Sequence, residues 1–289
     1  MIPRAALLAL TAALALASFA AADPRVFTVH GPAGDVTLFG SIHVLPPGVA
    51  WEPPSLAKAV GQADELWFEI PIDPATQAQI GVLAQAKSLL PQGQHLSLLL
   101  SPVGLRRLKA IAARYRLSPA RLDAMRPWYA EQAVTLSVIL TDGAAADNGV
   151  EEQLSKGAPL AKREALETVG QQIALFADAP MADQIASLES TLKEIEDDPG
   201  AYRRMLDSWL KGDDEAIYQH DVLQLKRNLP SQYRALITDR NKAWVRILAE
   251  RLRHPGKAVV VVGAGHLMGP EGVPAQLKAL GFRVDEPGR

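Results

Sequence analysis

The chain has 289 residues, of which 48% are hydrophobic, 21% charged and 6% aromatic, and this composition excludes a disordered chain. Its 30 basic and 32 acidic residues give a net charge of -2, and they form no basic stripe with interleaved aromatic residues. Nucleic acid is therefore excluded as the expected partner. The absence of Cys excludes disulfide bonds and thiolate metal ligands.

The first 22 residues have the features of a secretory signal peptide. Arg4 supplies a positive charge, residues 5–20 form an apolar run, and Ala20-Ala-Ala22 fits a cleavage site of small residues. The apolar run is shorter than the ~20 residues that a membrane span needs. We therefore expect cleavage after Ala22, which would leave a periplasmic or secreted domain over residues 23–289.

Three strands are predicted in the part of the chain that follows. Residues 26–29 and 36–40 form a hairpin around a turn rich in Gly and Pro, and His43 follows the second strand in a loop. Residues 65–70 form a buried third strand, whose apolar run is broken near its end by Glu69. A carboxylate at this position is costly unless a metal ion or an arginine pairs with it. Glu69 is therefore a candidate site residue.

Residues 73–253 are predicted to be mostly helical. A capping residue followed by Pro, the usual start of a helix, occurs at Asp73-Pro74, Ser101-Pro102 and Ser118-Pro119. One short strand is expected to end near Leu166. The pattern predicts an α/β fold, in which helices pack on a central mixed sheet and a largely helical insertion, about residues 73–253, separates the first strands from the last ones.

The C-terminal stretch gives the clearest indication of a site. Four consecutive valines, residues 259–262, predict a strand that is buried on both faces, and the glycines after it let the backbone turn. His266 then lies at the carboxyl edge of the sheet, where ligands bind in open α/β folds. Gly40-Ser-Ile-His43 presents a second histidine in the same way as Gly263-Ala-Gly-His266. A helix over residues 273–280 and a strand over residues 282–285 complete the domain.

Taken together, these motifs resemble those of the TraB/GumN family, which includes the Tiki proteins, over essentially the whole chain after the signal peptide. The hallmark of that family is the pair of Gly-x-x-His motifs. Further matches are the acidic strand end at Glu69, Pro127-Trp128, Leu166-Glu167-Thr168 with Gln171 or Gln172 after it, Asp239-Arg240-Asn241, and the closing Gly-Pro-Glu-Gly-Val-Pro stretch. One departure is Glu151, at a position where members often carry Asp. The resemblance implies an erythromycin-esterase-like α/β fold and, by analogy with Tiki proteins, a metal-dependent peptidase activity.

The residues are compatible with that chemistry. His43, Glu69 and His266 make a set of two imidazoles and one carboxylate that could bind Mn²⁺, Co²⁺ or Zn²⁺ and leave positions open for water. We expect Glu167 to serve as a separate base. Arg240 with Asn241 would stabilise an oxyanion or hold a substrate carboxylate. The expected substrate is a peptide or a small ester or amide.

Two other functions stay open at this point. Some relatives act in pheromone shutdown or are encoded with polysaccharide production, so the chain could bind a peptide or a glycan without cleaving it. Alternatively, His43 or His266 could act directly as the base of a metal-independent esterase.

Overall fold

The computed structural model describes residues 22–145, 148–157 and 160–286. Except for Ala22, the predicted signal peptide lies outside these ranges. Within them, every helix is too short or too polar to cross a membrane.

In the described parts of the chain, six strands form one mixed sheet with helices packed on it, which confirms the predicted α/β class. The strands are β1 (Val26–His30), β2 (Gly34–Ser41), β3 (Glu65–Phe68), β4 (Lys162–Ala165), β5 (Gly256–Gly263) and β6 (Arg283–Asp285). Their order across the sheet is β4-β3-β5-β2-β1-β6. Strands β2 to β5 are parallel, whereas β1 pairs antiparallel with β2 and β6. The carboxyl ends of the four parallel strands therefore lie along one edge.

The valine run in β5 is buried on both faces of the sheet. Val259 and Val261 pack into an apolar cluster that contains Phe39, while Val260 and Val262 pack into a cluster on the other face. Burying a valine side chain contributes about 1.5–3 kcal/mol to stability. The sheet is therefore firmly anchored where the candidate site begins.

Helices account for most of residues 73–253, although β4 lies among them and joins the sheet. The helices are α1 (Pro54–Gly61), α2 (Pro74–Ala86), α3 (Leu96–Leu99), α4 (Pro102–Arg114), α5 (Pro119–Asp123), α6 (Pro127–Thr141), α7 (Val150–Gly157), α8 (Val169–Ala177), α9 (Met181–Asp197), α10 (Ala201–Leu210), α11 (Asp214–Ile217), α12 (Leu223–Asn228), α13 (Pro230–Tyr233), α14 (Asp239–Arg251) and α15 (Val273–Ala279). One helix, α1, precedes the region of residues 73–253 and another, α15, follows it. The side chains of Asp73, Ser101 and Ser118 cap α2, α4 and α5, each by accepting a backbone N–H bond. Helices α4, α6 and α9 share a separate apolar core.

Two π-helical segments connect helices near the C-terminal part of the chain. Tyr218–Val222 joins α11 to α12, and Arg234–Thr238 joins α13 to α14. Such segments are rare and recur at functional sites. The second segment ends directly before the Asp239-Arg240-Asn241 motif, so it helps to set the direction in which these side chains point.

The two Gly-x-x-His motifs meet at the carboxyl edge because β2 and β5 are neighbours. In the register of these strands, Gly40 pairs with Val262 and Ser41 pairs with Gly263. A methyl group on Gly40 would lie 2.9 Å from the Cα atom of Ala264. Glycine is therefore needed in the first motif so that β2 can pack against the backbone of the second one.

Gly40→Ala is expected to lower the free energy of unfolding by about 1–3 kcal/mol, because an overpacked position forces the backbone to shift. Urea unfolding measures this change. Gly61→Ala, at the end of α1, is the matched control, because a methyl group there meets nothing within 4 Å. Equal stabilities of the two variants would contradict the close packing of the motifs.

Candidate functional site

Three of the predicted site residues border one small space at the carboxyl edge of the sheet. His43 follows β2, Glu69 follows β3, and His266 lies in the 3-10 turn Ala264–Leu267 after β5. A methyl group on Gly263 would lie 3.4 Å from Oε1 of Glu69, 3.7 Å from Cδ2 of His266 and 3.8 Å from Nε2 of His43. The parallel strands thus bring together residues from both ends of the chain.

His43 is oriented by a carboxylate that was not among the predicted site residues. Its Nδ1 atom lies 2.6 Å from Oε1 of Glu151, and the hydroxyl of Ser41 donates a hydrogen bond to the same oxygen at 2.5 Å. The charge of Glu151 raises the pKa of His43 to about 9. This effect outweighs desolvation by the surrounding protein, which lowers the pKa. The side chain of His43 is 64% exposed. One ring nitrogen is therefore bonded, while Nε2 is open to solvent.

Glu69 is nearly enclosed and ionised. Oε1 accepts a hydrogen bond from the backbone N–H of Gly263 at 2.8 Å, and Oε2 accepts from Nε2 of Gln172 at 2.9 Å and from Nη2 of Arg240 at 2.5 Å. Burial opposes the negative charge, but the guanidinium of Arg240 is the main partner that outweighs it and lowers the pKa of Glu69 to about 2. The partner that a carboxylate at this position requires is thus an arginine.

The guanidinium of Arg240 uses all five of its N–H groups inside the protein. Nε and Nη2 donate to the two oxygens of Glu167 at 2.8 and 3.1 Å, and Nη2 also donates to Glu69. Nη1 donates to the carbonyl oxygen of Leu236 at 3.2 Å and to Nε2 of His266 at 3.0 Å. Five is the full number of donors in a guanidinium, so a substrate could bind Arg240 only by displacing one of these contacts.

His266 is buried and neutral. Its Nδ1 atom lies 2.6 Å from Oδ1 of Asn241, and its Nε2 atom accepts a hydrogen bond from Arg240. Because an amide oxygen only accepts hydrogen bonds, this network assigns the ring proton to Nδ1. Burial is the main reason why the pKa of His266 is lowered to about 3. Both ring nitrogens are therefore bonded within the protein.

Glu167, Arg240 and Asn241 hold the site together. Glu167 is bonded to Arg240 through both carboxylate oxygens. Asn241 is fully buried, and its Nδ2 atom donates to the carbonyl oxygens of His266 at 3.2 Å and Glu271 at 2.8 Å. The expected roles of Glu167 as a base and of Arg240 and Asn241 as oxyanion contacts stay predictions. Their observed contacts position Glu69 and His266.

His43, Glu69 and His266 do not fit a metal ion in the arrangement observed. Over residues 22–145, 148–157 and 160–286, no three His, Cys, Asp or Glu side chains are placed so that they could hold one ion. The physical reason is that Glu69 and His266 direct acceptor atoms at the guanidinium of Arg240. A metal ion bound by the three predicted ligands stays a prediction, and it requires Arg240 to move.

An open cavity of about 490 Å³ lies in front of His43. This volume is within the range that is usual for small-molecule sites. Its lining combines apolar side chains with polar and acidic ones. The lining residues are His43, Phe68, Glu69, Ile70, Ile72, Gln77, Gly149, Glu151, Glu152 and Gln172. The cavity can therefore admit a small ester or amide, or a short segment of a longer chain, beside the exposed imidazole.

Three contacts of this site were not assigned from the sequence. Ser41 lies inside the first Gly-x-x-His motif, and Glu151 occupies the position at which the family often carries Asp. The choice between Gln171 and Gln172 was open. In the structure, Gln171 completes a capping box with Thr168 at the start of α8, whereas Gln172 binds Glu69. The Thr168-x-x-Gln171 capping pattern is visible in the sequence. It assigns Gln171 to the start of α8 and so leaves Gln172 as the contact of Glu69.

Comparisons with known proteins extend over nearly the whole chain. The profile of the TraB/PrgY/gumN family matches residues 26–286. The "Uncharacterized protein YbaP" of Escherichia coli (strain K12) is 27% identical over 257 residues, which cover 86% of this chain and 92% of that protein. The protein of the same name from Shigella flexneri matches with the same identity and coverage. No solved structure matches the chain significantly.

His266→Gln is expected to change the dependence of stability on pH. The unfolded wild type binds a proton at His266 near pH 6.5, whereas the folded protein binds it only near pH 3. The free energy of unfolding therefore falls as the pH decreases through this window, and the variant lacks this loss. Urea unfolding between pH 6.5 and 4.5, above the range in which Glu69 titrates, isolates the effect.

The stability of the wild type relative to His266→Gln should decrease by up to about 1.4 kcal/mol for each unit by which the pH falls. A difference between the two proteins that stays constant over this window would contradict a buried, neutral His266.

Proposed function

The chain belongs to the TraB/PrgY/gumN family, and we propose that this member hydrolyses an ester or amide bond with His43 as the base that activates water. The observation that carries the proposal is the His43–Glu151 pair, in which one ring nitrogen is bonded to a carboxylate and the other is open to the cavity. An imidazole held by a carboxylate is the usual arrangement for a general base.

The chemistry follows from the hydrogen bond at Nδ1. With the Nδ1 proton donated to Glu151, the lone pair of the neutral imidazole is on Nε2. A water molecule that contacts Nε2 transfers a proton to it while the water oxygen attacks the carbonyl carbon of the substrate. The protonated imidazole then donates that proton to the leaving oxygen or nitrogen. Glu151 keeps the ring in one orientation and stabilises its charged form.

Glu69 borders the same space and supports the same step. Its carboxylate also raises the pKa of His43, so it favours the imidazolium that forms as water loses its proton. Bonds from Gly263, Gln172 and Arg240 keep this carboxylate in place and ionised. A fixed negative charge beside a developing positive charge costs no reorganisation during the reaction.

The metal-dependent peptidase implied by the family resemblance is the second candidate. The convergence of His43, Glu69 and His266 beside Gly263 favours it. In that case Glu69 and His266 would have to exchange their bonds to Arg240 for bonds to Mn²⁺, Co²⁺ or Zn²⁺. The non-enzymatic alternative, binding of a peptide or glycan, would use the same cavity without His43 acting as a base.

We also propose, from the N-terminal sequence alone, that the protein is exported to the periplasm or secreted. Cleavage after Ala22 would give a mature chain that begins at Asp23. Mass spectrometry of the protein recovered from the periplasmic fraction or the medium should give the mass of this mature chain. A protein that retains residues 1–22 would contradict the proposal.

Hydrolysis is tested with chelator-treated protein, p-nitrophenyl esters, and a peptide library analysed by mass spectrometry. The wild type is expected to cleave at least one substrate without added metal. His43→Ala should lower the rate about 10²–10⁴-fold, the usual contribution of a general base. His254→Ala removes a 65% exposed imidazole close to the opposite end of β5, and it should leave the rate unchanged.

Each contrary result favours a different alternative. Activity that chelation abolishes and that Mn²⁺, Co²⁺ or Zn²⁺ restores would support the metal-dependent peptidase. Saturable binding of a peptide or glycan without turnover, equal in the wild type and in His43→Ala, would support the binding protein. Circular dichroism of each variant checks that the fold is retained.

The rate of hydrolysis should increase with pH, with an inflection near pH 9 and a plateau above it, because only the neutral form of His43 can accept a proton. Glu151→Gln removes the charge that raises this pKa, so the inflection should move toward pH 6.5 and the maximal rate should fall. An identical pH profile for the wild type and Glu151→Gln would contradict the role given to the pair.

A further inference from the structure

A second cleft lies within the helical insertion. Helices α6, α8, α9 and α12 and the two π-helical segments contribute to its wall, and its volume is about 550 Å³. A smaller cavity of about 290 Å³ adjoins it, because Glu131, Phe176, Gln232 and Leu236 line both spaces. We call the two spaces together the insertion cleft. Among the described residues, none that lines it also lines the cavity in front of His43, so it is separate from the site proposed for hydrolysis.

The insertion cleft is acidic. Five carboxylates and two basic side chains line its larger part, which leaves three negative charges in excess. The two basic side chains, Lys193 and Arg204, pair with the carboxylates of Asp197 and Asp198. The remaining carboxylates form no ion pair with any residue that the structure describes, and they are those of Glu131, Glu194 and Asp221. The cleft is therefore suited to a cationic ligand.

These three carboxylates also repel one another. Burial raises the pKa of Glu131, and the charge of Glu194 raises it further. Burial likewise raises the pKa of Asp221 to about 6, again with a contribution from the charge of Glu194. The ionised forms are thus held close together at a cost in free energy, and a cation between them would offset that cost.

An independent observation points to a ligand that donates hydrogen bonds. Gln184 is 1% exposed and lines the smaller part of the cleft, and its Nε2 atom donates to the backbone carbonyl oxygens of Ala177 and Ala179. These bonds fix the orientation of the amide, and Oε1 then has no donor among the residues that the structure describes. A buried acceptor without a donor is costly. An ammonium group in this part of the cleft would supply the missing N–H.

The distribution of these groups selects an extended organic cation. Over the described residues, no three carboxylates are placed so that they could hold one metal ion. Instead, the acceptors follow one another along the cleft, from Asp221 and Glu194 past Glu131, which lines both parts, to Gln184. We infer that the insertion cleft binds a linear aliphatic polyamine, whose ammonium groups face these acceptors. The side chain of Phe176 also lines both parts, and it offers an apolar surface for the methylene groups and a ring face for an ammonium.

Both π-helical segments take part in this site. Tyr218–Val222 supplies Asp221, and Arg234–Thr238 supplies Leu236. Segments of this kind are rare and recur at functional sites. The insertion cleft accounts for the presence of both segments in one region of the insertion.

Titration calorimetry with spermidine at low ionic strength tests the inference on the full chain. The wild type is expected to bind one spermidine molecule saturably, and its Tm should rise when spermidine is added. Putrescine should bind more weakly, because it is shorter and offers fewer ammonium groups. Added salt should weaken both interactions, since they depend on charge.

Glu194→Gln and Asp221→Asn should each weaken the binding of spermidine about tenfold, the order expected when one contact to a charged group is lost. Glu196→Gln is the matched control. It removes the same charge from the same helix, but Glu196 lies outside the cleft and pairs with Arg107 at 2.6 Å. Its affinity for spermidine should equal that of the wild type, as should the affinity of His43→Ala. Without ligand, the Tm of Glu194→Gln should be no lower than that of the wild type, because the substitution removes a repulsion.

Three results would overturn the inference. They are the absence of saturable spermidine binding, equal affinities of the wild type and Glu194→Gln, and an equal loss of affinity in Glu196→Gln, which would show unspecific attraction to a negative surface. Saturable binding of a lysine-rich peptide by a protein that does not bind spermidine would overturn it as well. If Asp221→Asn does not fold, Glu194→Gln decides the test alone. Because the readout is spermidine affinity, failure here is distinguishable from failure of the proposed hydrolysis.

Discussion

The guanidinium of Arg240 joins three strand ends that are far apart in the sequence. It donates to Glu69 after β3, to Glu167 after β4 and to His266 in the turn after β5. Burying these charges is unfavourable unless every partner is in place, so the contacts are stabilising only as a complete set. The set therefore specifies the relative position of the strand ends, and α14 is the element that carries this constraint. The π-helical segment before α14 contributes the carbonyl oxygen of Leu236 to the same arrangement.

This constraint divides the site into two parts with different properties. In the inner part, Glu69, Arg240 and His266 are buried and their hydrogen-bonding groups are occupied by protein partners. In the outer part, His43 is oriented by Glu151 and reaches the cavity with its second nitrogen. The inner part keeps its charges fixed over a wide range of pH, because the pKa of Glu69 is lowered and that of His266 is lowered as well. Proton transfer in the proposed reaction is consequently assigned to the outer part, where a titrating group meets solvent.

A metal ion and a guanidinium both neutralise buried carboxylates, but they differ in the distances and donor numbers that they require. Here the carboxylates of Glu69 and Glu167 are placed at distances that suit N–H donors. A side chain that is covalently attached also cannot be lost to a chelator. The enclosed position of Arg240 thus accounts for the bonds that Glu69 and His266 make within the protein.

The sequence by itself determined the α/β class, the buried strand β5, the Pro-initiated helices and the family, because each of these depends on local periodicity or on motifs in a known order. It also predicted that both histidines and Glu69 lie near strand ends at the carboxyl edge, since such ends are recognisable from apolar runs and glycines. Only the tertiary structure decided which groups bond to one another. Glu151 is 108 residues from His43, and Arg240 is 171 residues from Glu69. Such pairings depend on how strands and helices pack across the sheet edge, and no local pattern encodes them.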